Sequence, residues 1–263
     1  MHVYFRYLAL LLGTTAMTTV VAQGSGAVAT TSPTTVVLVH GAFADSASWN
    51  GVVPRLQDHG LQVVSVANPL RSVLGDSDYL GKLVDSIDGP VVLVGHSYGG
   101  AVIANVANTR RNIKALVFVA GFIPDAGETA VELAGKFPGS TLGEALAPPV
   151  MLGGGGKDLY IQQEKFHQQF AADVPKEAAA LMAAGQRPIA EAALTQGSKA
   201  PAWKELPSWS IYGTADKNIP PEAMRFMSKR ANARKVVEVE GASHVVMLSH
   251  PDKVAALIVE AAE

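Results

Sequence analysis

Apolar runs rich in β-branched residues alternate along this chain with stretches patterned for helices. A doubly wound, mostly parallel sheet of the α/β class requires that alternation, because strands buried on both faces are joined by crossovers that cover them. The runs predict strands near 34–39, 61–67, 91–95, 113–120, 208–212 and 235–240. Between the first two, Trp49, Val53 and Leu56 fall at i, i+4 and i+7, which predicts one buried helical face stopped by Gly60. A last helix is predicted over about 251–262, starting at Pro251 and burying Val254, Leu257 and Ile258. Residues 122–202 break the alternation: they are Ala-rich, punctuated by Gly and Pro, and carry helix-like pairs such as Phe166/Phe170 and Ala178/Met182. An insertion of that size between core strands predicts a helical lid whose side chains wall a substrate site. A helical appendage packed elsewhere on the core is the alternative.

Composition supports one core, built from residues 34–121 and 203–263. The chain has 263 residues, 48% hydrophobic and 17% charged, enough for one buried sheet but not for a second full domain. Its net charge is −2 with no cluster of Lys and Arg, so the phosphate-neutralising surface that nucleic acid needs is missing. The chain contains no cysteine, which excludes disulfides and thiolate metal sites. His40, His96, His167 and His250 lack metal-ligand spacing, so neither a metal nor a cofactor is expected. Gly153 to Gly156 with Lys157 has the look of a phosphate loop, but Asp158 stands where Ser or Thr is needed and no strand is predicted before it. A lid turn is the better reading.

The first residues predict export. Arg6 precedes an apolar run from Tyr7 to Gly13, thinly extended by Ala16, Met17, Val20 and Val21, and Val20-Val21-Ala22 offers small residues where a signal peptidase reads. Residues 1–22 are therefore expected to be a signal peptide and 23–33 a flexible lead-in. The mature protein would be periplasmic or secreted, without stable membrane anchoring. An uncleaved anchor and a disordered or wrongly assigned start are the competing readings.

The chemistry gathers around Gly95-His96-Ser97-Tyr98-Gly99-Gly100, which follows the run Val91 to Val94. That order predicts strand, sharp turn and helix, with Ser97 strained at the turn and Gly95 and Gly99 sparing it the collisions a Cβ would bring. An ordinary Gly-rich turn satisfies the same pattern. A nucleophilic serine also needs a base, a carboxylate to orient it and donors for an oxyanion. Thr34 to Val39 ends in His40-Gly41-Ala42-Phe43, a turn that can present the Ala42 N–H beside that of Tyr98. Asp216 lies in the loop after the strand at 209–212, and His244 follows the strand at 235–239. His250 is a rival base and Asp125 a rival acid. Phe43, Trp49, Phe166 and Phe170 are candidate substrate contacts, with core packing the other reading for Trp49.

These blocks resemble the α/β-hydrolase fold over nearly all of residues 34–263. More narrowly, His40-Gly41-Ala42 with Trp49, the serine turn, Gly213-Thr214-Ala215-Asp216 and Ser243 to Pro251 are similar to small bacterial hydrolases related to the plant methylesterase and hydroxynitrile lyase group. The resemblance implies a nucleophile, acid and base in the order Ser97, Asp216, His244, and a cofactor-free hydrolase acting on a small-molecule ester. The lyases of that group carry a lysine directly after the histidine; this chain has Val245, which disfavours cyanide chemistry. A binding protein on the same scaffold, and C–C cleavage or perhydrolysis in the same pocket, remain alternatives. Since the candidate catalytic groups lie outside 122–202, the lid is expected to set which ester is accepted and to leave acyl transfer intact. Nothing in the sequence sets an oligomeric state.

Overall fold

Apolar runs with no polar face can be satisfied only inside a sheet covered on both sides, and the chain adopts that arrangement. A computed structural model describes residues 32–106, 110–199 and 201–263. The expected signal peptide, and all but the last two residues of the expected lead-in, lie outside the described residues. The strands β1 (Thr35–Val39), β2 (Gln62–Val66), β3 (Val91–His96) and β4 (Ile113–Val119) come first. Three short ones follow, β5 (Val150–Met151), β6 (Lys157–Leu159) and β7 (Ile189–Ala190), and then β8 (Ser208–Gly213) and β9 (Lys235–Val239). Six of them form one parallel sheet in the order β2-β1-β3-β4-β8-β9. The central strands β1 and β3 are buried at every residue, whereas β2 and β9 at the edges are partly exposed. Each predicted core strand is present to within a residue or so of its expected bounds.

The order reverses between β1 and β3, since the chain steps outward from β1 to β2 and returns to β3 on the other side. In open α/β sheets such a reversal leaves a crevice at the carboxyl ends of the strands. The turns after β1 and β3 are the segments that carry Ala42 and Ser97.

Around the sheet run α1 (Val53–Asp58), α2 (Val73–Asp85) and α3 (Tyr98–Ala104). The inserted segment supplies α4 (Ala130–Gly135), α5 (Leu142–Ala145), α6 (Gln163–Phe170), α7 (Lys176–Gly185) and α8 (Glu191–Thr195). Then come α9 (Pro221–Arg230), α10 (Val246–Ser249) and α11 (Pro251–Ala262). The last helix matches its prediction and buries Val254, Leu257 and Ile258. The continuous face through Trp49, Val53 and Leu56 does not form. A 3₁₀ turn, Ser46–Trp49, ends first, and α1 restarts with Pro54 in its opening turn, because proline has no N–H to continue a helix from before it. Trp49 and Leu56 are buried all the same.

The inserted segment is not purely helical. β5, β6 and β7 pair antiparallel into a small sheet, and Gly153 to Gly156 is the hairpin between the first two. A strand thus does precede the glycine run, contrary to expectation, but it pairs in a hairpin and no helix follows as a phosphate loop requires. No helix among the described residues is long and apolar enough to cross a membrane.

Candidate active site

Ser97 sits between β3 and α3 at φ 52°, ψ −122°, a conformation that a residue with a side chain adopts only when its surroundings force it. Three contacts do so: Ser97 N–H donates to the Val119 carbonyl at 3.2 Å, and its own carbonyl accepts from Gly100 at 2.9 Å and Phe122 at 3.1 Å. The flanking glycines are obligatory for the reason expected. A Cβ on Gly95 would stand 2.5 Å from the Gly99 carbonyl oxygen, and one on Gly99 would run into the Val39 carbonyl of β1.

His244 and Asp216 lie beyond the ends of β9 and β8, each at most 4% exposed. His244 Nδ1 meets Asp216 Oδ2 at 2.6 Å, while Asp216 Oδ1 accepts the N–H groups of Asn218 at 2.7 Å and Ile219 at 3.0 Å. With both carboxylate oxygens committed, the acid is held in one orientation. Nδ1 donates, which leaves Nε2 as the basic atom. The rivals are elsewhere. Asp125 pairs with Lys204 at 2.5 Å, and that hydrogen bond holds its carboxyl below the usual range. His250 is half-buried at the start of α11, bonded to Ser249 Oγ at 2.9 Å.

Ser97 and His244 line one cavity of about 70 Å³ together with Ala42, Tyr98, Phe43 and Phe170. Neither the Ala42 nor the Tyr98 N–H has a protein partner among the described residues, whereas the Phe43 N–H is tied to the Arg187 carbonyl at 3.0 Å. The Ser97 hydroxyl likewise makes no hydrogen bond among them, an open geometry familiar in unliganded hydrolytic sites. Among the described residues no Lys or Arg lines this cavity. Phe43, at φ 59°, also faces an outer groove of about 220 Å³ beside Leu181, Met182 and Leu248.

Two expected substrate contacts are not there. Trp49 and Phe166 are fully buried. Trp49 packs edge-on against His96 with ring centroids 6.5 Å apart, and Phe166 packs behind Phe170 at 5.0 Å. On α6 the residue that faces the cavity is Phe170, whose ring lies 5.1 Å from that of His244.

Three residues without an expected role support the site. His40 donates from Nδ1 to the Gly41 carbonyl at 2.9 Å and accepts from the Asn68 N–H at Nε2 at 3.0 Å, which pins the turn that carries Ala42. Burial lowers its pKa to about 4, so it is neutral. His96 donates to the His244 carbonyl at 3.2 Å, and burial, reinforced by the neighbouring His244, keeps it neutral too. Asp76 on α2 accepts the Tyr98 phenol, and burial raises its carboxyl above the usual range. All three bonds join residues distant in sequence, which local patterns do not signal. Among the described residues no group of three or more His, Asp or Glu side chains could hold a metal ion.

A family model described as "Alpha/beta hydrolase family" matches residues 36–257. Similar curated proteins include an "Alpha-hydroxynitrile lyase" of Arabidopsis thaliana, 27% identical over 82% of this chain and 92% of that protein. "Salicylic acid-binding protein 2" of Nicotiana tabacum is 28% identical over 86% and 96% respectively, and two Arabidopsis thaliana proteins called methylesterases share 26%. Among solved structures, polyneuridine aldehyde esterase superposes with a TM-score of 0.76 at 22% identity, covering 88% of this chain and all of that one.

Proposed function

The chain belongs to the alpha/beta hydrolase family, and from that premise we propose that it cleaves carboxylic esters of small, largely apolar molecules through an acyl-serine intermediate on Ser97. The observation that carries the reading is the buried His244–Asp216 pair, 2.6 Å apart, opening with Ser97 onto one cavity beneath two unpartnered N–H groups. His244 Nε2 takes the Ser97 proton as Oγ bonds to the ester carbonyl carbon. The carbonyl oxygen, now negative, accepts from Ala42 and Tyr98. His244 then passes its proton to the alcohol oxygen as the C–O bond breaks. Water repeats the sequence: His244 takes its proton, the hydroxide oxygen attacks the acyl carbon, and the proton returns to Ser97 Oγ as the acid departs. Asp216 holds the imidazole tautomer and stabilises its charged form.

The cavity walls support an uncharged substrate, since they offer apolar side chains and, among the described residues, no Lys or Arg. Val245 is buried beside His244, where a lyase of the plant group would carry lysine, so hydrolysis is the reading preferred over cyanide release. A fluorophosphonate probe followed by mass spectrometry, with a panel of aryl esters of increasing acyl length, tests the proposal. The adduct should fall on Ser97, and Ser97→Ala should abolish both labelling and turnover. Full inactivation with the adduct on another serine rejects it.

We further propose that residues 1–22 direct export and are removed, on the strength of the Arg6, apolar run and Val20-x-Ala22 pattern. N-terminal sequencing of protein from a secreting host should begin near Gln23. A full-length cytosolic product in the native cell overturns it.

A further inference from the structure

The inserted segment does more than wall the cavity. Where α6 ends, Gln169 is buried and reaches across to the loop that follows β8. Its Nε2 donates to the Lys217 carbonyl at 2.9 Å and to Asn218 Oδ1 at 3.2 Å, and Asn218 Nδ2 donates back to the Gln169 carbonyl at 3.1 Å. Thr141 Oγ1 fixes the remaining amide oxygen, donating to Gln169 Oε1 at 2.8 Å. The loop is also held by Ser140 Oγ donating to the Asn218 carbonyl at 2.9 Å and by the Thr141 N–H donating to the Lys217 carbonyl at 3.0 Å. Asn218 is the residue whose own N–H holds Asp216 Oδ1 at 2.7 Å. An unbroken path of hydrogen bonds therefore runs from Thr141 through Gln169 and Asn218 to Asp216 and His244. Every polar atom of the Gln169 amide is used, and both of its protons point at the acid loop.

We propose that Gln169 is a positioning residue, by which the inserted segment sets the orientation of Asp216 and so of the His244 imidazole. This rests on the hydrolase reading of the same site. Leucine in its place keeps the bulk but leaves Asn218 Oδ1 without its buried donor and the Lys217 carbonyl with the Thr141 N–H alone, and the loop must shift to find others. Glutamate is nearly isosteric, yet an ionised carboxylate there confronts two acceptor oxygens instead of donating to them. Part of the expected separation between a specificity lid and a self-sufficient catalytic core is thereby withdrawn: residues 169 and 170 serve both.

The test reads the reactivity of Ser97 without needing the natural substrate. The full-length protein, Gln169→Leu, Gln169→Glu and Thr141→Val are treated with a fluorophosphonate probe from about pH 5 to pH 9, and the labelling rate is taken per folded molecule after circular dichroism and thermal melts. Gln169→Leu should label at least about tenfold more slowly than wild type, a loss on the scale of impaired general-base assistance. The dependence of its labelling rate on pH should change as well, because the carboxylate that orients the imidazole is displaced. Gln169→Glu should be slower still above the carboxyl's pKa and recover toward lower pH, where a protonated carboxyl can donate. Thr141→Val keeps Gln169 but removes the hydrogen bond on its amide oxygen, so it reports even if the Gln169 variants fail to fold; it should slow labelling in the same direction, by about two- to fivefold, the scale of one displaced hydrogen bond. Folded Gln169 variants that label within about twofold of wild type on an unmoved pH profile overturn the proposal, whatever their melting points, as does an unchanged Thr141→Val if the Gln169 variants do not fold. If wild type is not labelled at Ser97, the hydrolase reading fails and this inference with it.

Discussion

The phenol of Tyr98 donates to Asp76 Oδ2 at 2.8 Å in a place closed to solvent, so the residue whose amide faces the cavity is anchored at its other end by a buried carboxylate. Asp76 also accepts from the Arg71 N–H, at 3.3 Å on Oδ1 and 3.1 Å on Oδ2, and from the Ser72 N–H at 3.5 Å. Burial, with Asp76 adding to it, also pushes the Tyr98 phenol well above its ordinary value, so it remains a donor at any working pH. The bond ties α2 to the first residue of α3 and fixes the side chain that leads out of the serine turn.

Tyr98→Phe removes one donor and leaves Asp76 Oδ2 with the Arg71 N–H alone. The expected cost is about 1–3 kcal/mol of unfolding free energy, the range for a buried acceptor deprived of a partner. Urea unfolding measures it, and a double-mutant cycle with Asp76→Ala should return a coupling above about 0.5 kcal/mol. Strict additivity would mean that the bond contributes nothing.

Asp216→Asn keeps the size of the side chain while replacing a carboxylate that receives the Nδ1 proton. An asparagine that turns its amide toward Nδ1 selects the tautomer with the proton on Nε2, where it cannot take one from Ser97. Turnover of any accepted aryl ester should fall by about 10⁴-fold with the fold intact. Asp125→Asn should leave turnover near wild type, since Asp125 pairs with Lys204 instead of an imidazole.

Phe170 and Phe166 should separate in function although they share a helix face. Phe170→Leu enlarges the cavity, and the ranking of esters by acyl length should shift by roughly 10–200-fold, the worth of one or two methylenes in an apolar pocket. Phe166→Ala empties a fully buried site behind it and should cost about 3–5 kcal/mol of stability with the ranking preserved in whatever remains folded. A ranking that moves equally in both variants would show that the cavity is not bounded where the rings place it.

His40 makes stability depend on pH in a defined window. Its pKa falls from 6.5 to about 4 on folding, so between these values the unfolded chain binds the extra proton. The contribution is complete above about pH 6.5 and is lost as the pH drops toward 4, amounting to some 3 kcal/mol on the scale of about 1.4 kcal/mol per unit. Unfolding free energies measured across this range should slope less steeply in His40→Gln. An unchanged slope would assign the acid sensitivity to other groups.

Much of this architecture is legible in the residues themselves. Val91 to Val94 followed by Gly95 to Gly100 specifies strand, turn and helix because the glycines answer a local steric demand, and Pro251 opens the last helix where a fixed φ suits a first turn. Trp49, Val53 and Leu56 mislead because the apolar period continues across a proline that the backbone cannot pass in helical form. β5 and β7, two residues each, are too short to carry a period. Phe166 and Phe170 are equivalent by spacing, and only the docking of α6 decides which meets the cavity. His40, His96 and Gln169 owe their roles to partners 28, 148 and 49 residues away, and no local rule reports such distances.

That no Lys or Arg stands among the described residues lining the cavity governs how a reaction would end as well as how it begins. On the proposed chemistry an ester enters neutral and leaves as a carboxylate, which finds no Lys or Arg among the lining residues and exchanges most of its hydration for apolar walls if it stays. Cleavage thus converts a well-matched guest into a poorly matched one, and the product is expelled by its own ionisation without any moving part. Inhibition by the product acid should accordingly be weak at neutral pH and grow as the medium approaches the pKa of the free acid, where the departing molecule again resembles the one that arrived.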